Sequence, residues 1–369
     1  MITEAPVERI SYLISSIQRS LFAYLHETVG ELSEKEQRFV SVLELVCIEK
    51  HVITHHRLGR SPKDRKALAR AFVAKAFYNI PTTSAVLERL RRDKVFRQLC
   101  GWECWHQVPG ASTFSRAFNH FAQCELPDKV HAALVKEYLS DEVVWHVSRD
   151  ATAIEAREKP AKKGAFAQAS PSNRRRGRPK KDEEPPALEE KRIEKQGRWS
   201  LEECLQDLPT ACDVGTKQNS KGYKTSWIGY KLHVDVCDRG IPLSALTTSA
   251  SMHDSQAAIP LMMMTGSRVE SLYELMDSAY DAERIRQASL ERGHVPIIDC
   301  NARRGESLPM EPDRARRYQH RTTAERFNSE IKDNHGGSMV RVKGHKKVHA
   351  HLMFGLLVIF AKAVLGLVT

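Results

Sequence analysis

The chain is 369 residues long, room for roughly two to three domains of about 150 residues each and ample for a large buried core. Hydrophobic residues make up 41% and charged residues 28%, which excludes wholesale disorder. The 57 Lys and Arg outnumber the 46 Asp and Glu, and the net charge of +11 favours a polyanionic partner such as nucleic acid. Eight scattered cysteines and a start without a basic stretch and apolar run point to a reducing cytoplasm. Cys100 and Cys104 lack a second pair at zinc-ligand spacing, which argues against a structural zinc site.

Residues 1–140 have the periodicity of helices. Glu8 to Val29 places Ile10, Leu13, Ile14, Ile17, Leu21 and Leu25 at helical spacing. Ser33 and Glu36 form a capping-box pattern that opens a helix through about Lys50. Pro62 marks a helix start and Pro81 its end. A helix is predicted from Ser84 to about Leu99, bearing Arg89, Arg91, Arg92, Lys94 and Arg97. A short one begins at Ser112 and runs to Phe118. Two short helices across a Gly/Pro turn suit insertion beside DNA, or equally a plain helical bundle.

From 141 the period changes. Strands are predicted over Val143–Ile154, Trp227–Val236 and Ile241–Thr248, the last two joined at Asp238-Arg239-Gly240. A helix over Ser255–Met264, a strand over Leu272–Met276, a helix over Ala282–Arg292 closed by Gly293 and a strand over Val295–Ile298 follow. Helices over Arg317–Lys332 and along the apolar tail Leu352–Val368 finish the chain. The tail carries Lys362 and two glycines over 17 residues, so a buried helix rather than a membrane span is expected. This is an α/β layout around a mixed sheet.

Residues 158–222 form a basic insertion between the first two of these strands, predicted as largely disordered. Lys159 to Lys181 holds nine basic and no acidic residues. Arg176-Gly177-Arg178-Pro179 resembles an AT-hook, which would lay Arg176 and Arg178 in a narrow minor groove; a solvated linker explains the run equally well.

The sharpest local pattern is Tyr318, Arg321, Glu325 and Lys332. At about 100° per residue, the last three fall at about 300°, 340° and 320° from Tyr318, so all four share one narrow helix face. On a solvent-facing helix this is ordinary i,i+4 pairing, such as Arg321 with Glu325; a carboxylate flanked by Arg, Lys and a phenol also describes a metal ligand beside a phosphate clamp. Asp150 shares a strand face with Ser148 and Thr152, and Asp277 ends a short apolar strand. Competing acids are Asp213, Asp235, Asp254 and Asp299, with Asp254 expected to cap the next helix and Asp281 to act as support or cap. His253, His320 and His335 lack metal-ligand spacing with one another.

The spacing Y-x2-R-x3-E-x6-K resembles the signature of bacterial insertion-sequence transposases of the Asp-Asp-Glu superfamily. Val147-Ser-Arg-Asp150-Ala-Thr and Leu275-Met-Asp277-Ser-Ala-Tyr280-Asp281 resemble that family's two acidic strands. The Gly101-Trp102 and Val108–Phe118 stretches resemble its N-terminal region. The resemblance implies a ribonuclease-H-like mixed-sheet catalytic domain over 141–369, preceded by an α-helical DNA-binding region over 1–140 for end recognition. It implies that Asp150, Asp277 and Glu325 hold two Mg2+ ions, with Mn2+ a possible substitute, and that Tyr318, Arg321 and Lys332 hold a DNA phosphate. A second basic cluster, Arg341, Lys343, Lys346 and Lys347, would track the DNA backbone or, equally well, lie on a solvated turn.

The implied partners are double-stranded DNA, at terminal inverted repeats and target, and a second copy in a homodimer, with no membrane and a cytoplasmic, nucleoid-associated location. Some relatives insert a β-rich domain between the second Asp and the Glu. Here the two are 48 residues apart, which leaves no room for one. The alternatives are a catalytically silent DNA-binding derivative or a ribonuclease-H-like nuclease.

Overall fold

The computed structural model describes residues 30–53, 64–161, 190–218, 222–301 and 309–366. The predicted helix Glu8–Val29, Pro62, Arg176 and Arg178 lie outside the described residues. Among the described residues, six α-helices precede the sheet: α1 Glu34–Val46, α2 Arg65–Phe77, α3 Thr83–Arg92, α4 Lys94–Leu99, α5 Ala111–Gln123 and α6 Leu126–Leu139. The capping box is formed as expected: Glu36 N–H donates to Ser33, and Ser33 N–H donates to Glu36 at 2.8 Å.

The single helix predicted over Ser84–Leu99 is two helices. Asp93 adopts an extended ψ of 110° and accepts from Phe96 N–H, so it ends α3 and caps α4 in one residue. The helix predicted from Ser112 begins one residue earlier and extends to Gln123, with Phe114, Ala117, Phe118, Phe121 and Ala122 buried along one stripe. Helix α6 has no counterpart in the sequence-based expectation.

The strands are β1 Val144–Ala156, β2 Asp213–Gln218, β3 Lys224–Cys237, β4 Pro242–Ser249, β5 Ser271–Met276, β6 Val295–Ile298 and the two-residue β7 Met339–Val340. β1 is central, antiparallel to β3 on one side and parallel to β5 on the other, with β6 outside β5. The far edge of β3 is shared, its C-terminal half by β4 and its N-terminal half by β2. Gly229 sits at the changeover. A Cβ there would lie 2.1 Å from the Ile154 carbonyl oxygen, so only glycine lets β1 and β3 approach. An antiparallel three-strand meander beside two parallel strands is the ribonuclease-H-like arrangement expected.

The stretch 158–222, predicted as largely disordered, is folded over 190–218: α7 Arg192–Gln196, α8 Leu201–Asp207 and β2. Ser200 and Glu203 make a second capping box, and β2 gains a full ladder against β3, local signals that the neighbouring charge run obscured. The remaining helices are α9 Ala258–Gly266, α10 Glu283–Leu290, α11 Pro312–Tyr318, α12 Thr322–Asn334 and α13 His345–Val364. Between Asp277 and Glu325 the described residues hold helices and one short strand, with no β-rich domain among them.

Helix α13 is long and apolar enough to cross a membrane, yet most of it is buried in the protein, as expected of a core helix. One face meets the N-terminal helices: Phe72, Phe118 and Phe354 form a ring cluster in a core that also takes in Val144, Val147 and Leu243 of the sheet. Its other face, with Leu352, Leu356 and Ile359, packs on β3 and α12. Gly355 lets it lie close against α12, where a Cβ would meet Ile331 at 2.7 Å. The helical region and the sheet therefore share one continuous core around α13, and residue 140 is not a packing boundary.

Behind the sheet lies a buried charge network. Arg149, fully buried on β1, donates two hydrogen bonds to Asp235 of β3 at 2.8 and 2.7 Å and one to Glu274 of β5 at 3.1 Å. Thr265 donates to Asp235 and Ser289 to Glu274, each at 2.6 Å. Burial pushes the Glu274 carboxyl up, but Arg149, His294 and Ser289 more than offset it and hold it down at about 2. Removing only the cation would strand two buried anions. Arg149→Met should therefore destabilise the fold by about 3–5 kcal/mol in urea denaturation, whereas the triple change Arg149→Met, Asp235→Leu, Glu274→Met should recover most of that loss. Equal losses in both variants would contradict this reading.

Candidate active site

Register brings the first two acids together. Arg149 of β1 stands beside Met276 of β5, so the next residue on each strand, Asp150 and Asp277, meets across the pair. Asp150 points to the opposite face from Arg149 because strand side chains alternate. Asp277 leaves the end of β5 and caps the turn that follows, accepting from Ala279 N–H at 3.0 Å. Glu325 arrives from the first turn of α12, which packs across β1 and β3.

The helix predicted over Arg317–Lys332 is interrupted. Residues Gln319–Arg321 form a 3-10 turn between α11 and α12. Thr323 Oγ1 donates to the His320 carbonyl at 2.8 Å, and Ser148 Oγ of β1 donates to the same oxygen at 3.1 Å, which fastens the turn to the central strand. The tighter winding keeps the predicted residues together: the Arg321 guanidinium lies 6.0 Å from the Tyr318 ring centroid.

Arg321 also gathers the acids. Its Nη1 donates to Glu325 Oε1 at 2.6 Å, while Nη2 lies 4.0 Å from Asp150 Oδ1 and 3.7 Å from Asp277 Oδ2. Two carboxylate oxygens around one nitrogen at those distances stay within about 8 Å of each other. One guanidinium cannot neutralise three carboxylates. The all-oxygen donor set fits a hard divalent cation, which Asp150, Asp277 and Glu325 together could hold.

The environment of each acid differs. Burial pushes the Asp150 carboxyl up to about 6 against the pull of Arg321, and burial also raises Asp277. Glu325 is the exposed member. Tyr318 is half-buried and burial drives its phenol up to about 12, so it is a neutral hydrogen-bond donor at physiological pH. Burial lowers the Lys332 ammonium, aided by repulsion from Lys217.

Several neighbours were not foreseen. Asn328, one turn after Glu325, donates to Asp150 Oδ2 at 3.0 Å. Lys217 on β2 acts electrostatically on Asp150, Asp277 and Lys332, an extra cation at the rim. No short-range pattern links either residue to the acids.

The competing acids have other tasks. Asp235 belongs to the Arg149 network, and Asp281 is held by Arg286 and Asn301 N–H. Asp254, expected as a helix cap, instead pairs with Lys231 at 2.8 Å while His253 takes the cap, because Lys231 projects from β3 directly toward it. Asp299 is exposed just past β6. Arg341, Lys343 and Lys346 are exposed around the start of α13, with Lys347 partly covered. Of the α3–α4 basics, Arg97 is buried and donates to the Leu90 and Arg91 carbonyls, and Arg89 stacks on Tyr78 and Phe96, so these two are structural. His335 is buried between the Ala76 carbonyl and Glu330.

A raised carboxyl is stabler neutral, so ionised Asp150 destabilises the metal-free fold. The cost is absent below the ordinary aspartate pKa near 3.9 and fully present once pH has risen past about 6. Asp150→Asn should stabilise the chelator-treated protein by about 1–3 kcal/mol at pH 8 and by nothing at pH 3.5 in urea titrations. An equal gain at both pH values would contradict the assignment.

Comparison with known proteins adds two matches. The family described as Transposase DDE domain matches residues 146–361, the stretch from β1 into α13. The family described as Transposase domain (DUF772) matches residues 27–120, which covers α1 to α4 and most of α5. No curated protein and no solved structure matches the chain. With more than half of its length matched, over the strands and helix that bring Asp150, Asp277 and Glu325 around Arg321, the chain belongs to the transposase DDE domain family and is a metal-dependent transposase that acts on DNA.

Proposed function

We propose that Asp150, Asp277 and Glu325 are the catalytic acids, and that they hold two Mg2+ ions, with Mn2+ able to substitute. The observation that carries this is the convergence of all three on one guanidinium. When bound, the ions supply the charge that activates an attacking oxygen and stabilises the leaving one. The remaining work falls to the chain itself. Arg321, released from the acids, joins Lys332 in clamping the phosphate of the element end, and the Tyr318 phenol donates to the same phosphate and fixes its orientation for in-line displacement. Asn328 keeps Asp150 aimed into the site. Cleavage at the element end leaves a 3′-hydroxyl, which then attacks target DNA.

DNA outside the site is held by sequence-tolerant contacts. Arg341, Lys343, Lys346 and Lys347 follow the backbone, as do Arg176 and Arg178, and Lys217 extends the basic rim. The polar stripe on α5, with Ser112, Ser115, Arg116 and Asn119 exposed opposite its buried phenylalanines, reads the terminal repeat within the helical region 1–140. Two ends must be joined, so the active complex is a homodimer on DNA, working on the cytoplasmic nucleoid.

Asp150→Asn and Glu325→Gln should each lower Mg2+-dependent nicking of element-end DNA by at least about a hundredfold while leaving the gel shift intact. Lys332→Ala should make the slope of log affinity against log salt shallower by about 1. Undiminished cleavage by either acid variant would overturn the assignment of the site.

A further inference from the structure

Four residues before Asp150, β1 carries His146, whose side chain is 9% exposed. It meets Asp238 from the turn between β3 and β4, and His320 from the 3-10 turn before α12. His146 Nδ1 lies 3.1 Å and His320 Nδ1 3.9 Å from Asp238 Oδ1, and one ligand atom from each residue falls within 4.8 Å of the others. His146 Nδ1 donates to Asp238 Oδ2 at 3.2 Å, which leaves the buried Oδ1 without a hydrogen bond of its own. A cavity of about 330 Å3, lined by His146, Asp313, Arg316, Arg317 and His320, opens beside the two rings.

We propose that His146, Asp238 and His320 form a second metal site, for Zn2+ or another borderline divalent transition ion, separate from the all-oxygen cluster around Arg321. Two imidazoles and a carboxylate suit zinc and not magnesium. Zinc bonds of about 2.0–2.1 Å in tetrahedral array place ligand atoms roughly 3.3 Å apart, which the observed 3.1 and 3.9 Å straddle. A cation held by the three residues would take over from the His146–Asp238 hydrogen bond and also meet the buried Oδ1. The cavity leaves a fourth position open to water. An anion has less claim on the cavity, because its arginines are already engaged: Arg316 with Asp313 at 2.9 Å, and Arg317 with His146 Nε2 at 3.3 Å and the Tyr273 ring at 4.1 Å.

Loading the site has a defined cost. The His146 and His320 rings are stacked at 4.5 Å, so His320, whose side chain is 49% exposed, must tilt toward Asp238. Arg317 donates to His146 Nε2, which fixes the proton on Nδ1; coordination through Nδ1 moves that proton to Nε2 and slides the guanidinium along Tyr273. Affinity is therefore below that of a preformed site. In return the ion ties the 3-10 turn to β1, beside Arg321, and so holds that residue's backbone while its side chain is free to leave the acids.

The test uses chelator-treated full-length protein titrated with Co2+ as the spectroscopic probe, followed by Zn2+ competition. The expected result is one Co2+ per chain with the visible bands of tetrahedral nitrogen–oxygen coordination, displaced by Zn2+ and retained in Glu325→Gln. Affinity should fall at least about tenfold in the exposed-site variant His320→Ala and in the isosteric Asp238→Asn. No such bands in the wild type, unchanged affinity in both variants, or loss of the bands in Glu325→Gln would each overturn the proposal.

Discussion

The buried Arg149 network decides where the chemistry can happen. β1 lies between β3 and β5, and a one-residue slip against either would turn Asp150 to the wrong face. Arg149 prevents that by bonding to both neighbours at once, to Asp235 directly opposite and to Glu274 on the other side. A buried ion pair contributes little net stability over an apolar filling, so its value here is specificity of register. With the register fixed, Asp150 emerges on the open face beside Asp277, with no strain needed to hold it there.

The same face is then organised by a second arginine in the opposite sense. Arg149 is locked and dry, whereas Arg321 is partly open to solvent, bonded to Glu325 and only loosely near Asp150 and Asp277, at 4.0 and 3.7 Å. An arrangement of that kind keeps the carboxylates together without filling the site permanently. Its carrier, the 3-10 turn, is anchored by Ser148 and Thr323 of the central strand and α12, so the side chain can move while its backbone stays. Helix α13 extends this coupling to the N-terminal helices. Asn79 donates to the Asp333 carbonyl and Lys362 pairs with Glu330, so the helical region, α12 and the sheet behave as neighbours in one core. A DNA end held by α5, as proposed, would thereby be positioned against the acids through packed elements and not through a linker.

Much of this was legible in the sequence because its signals are local. Strand alternation located β1, β3 and β4 to within about three residues, and Asp238-Arg239-Gly240 marked the hairpin. The four-residue spacing of Arg321 and Glu325 implied their contact, which the 3-10 turn preserves. What escaped depends on partners distant in the chain. Asp235 could be weighed as a competing acid because its bond to Arg149, 86 positions away, leaves no trace in periodicity. Asn328, Lys217, and the grouping of His146 with Asp238 and His320 are invisible for the same reason. Helix α6 was missed because its hydrophobic residues serve a core shared on several sides, and the break at Asp93 because one capping side chain interrupts a run that keeps helical spacing on either side. The folded part of 190–218 was masked by the charge run before it.

The central claim is that three acids from β1, the end of β5 and α12 form a single cation site around Arg321. Electron paramagnetic resonance of the chelator-treated protein titrated with Mn2+ tests it most directly. The account predicts spin-coupled Mn2+ pairs, the coupling lost on replacing any one of Asp150, Asp277 or Glu325. Binding that stays uncoupled at every Mn2+ concentration and is indifferent to all three substitutions would contradict it.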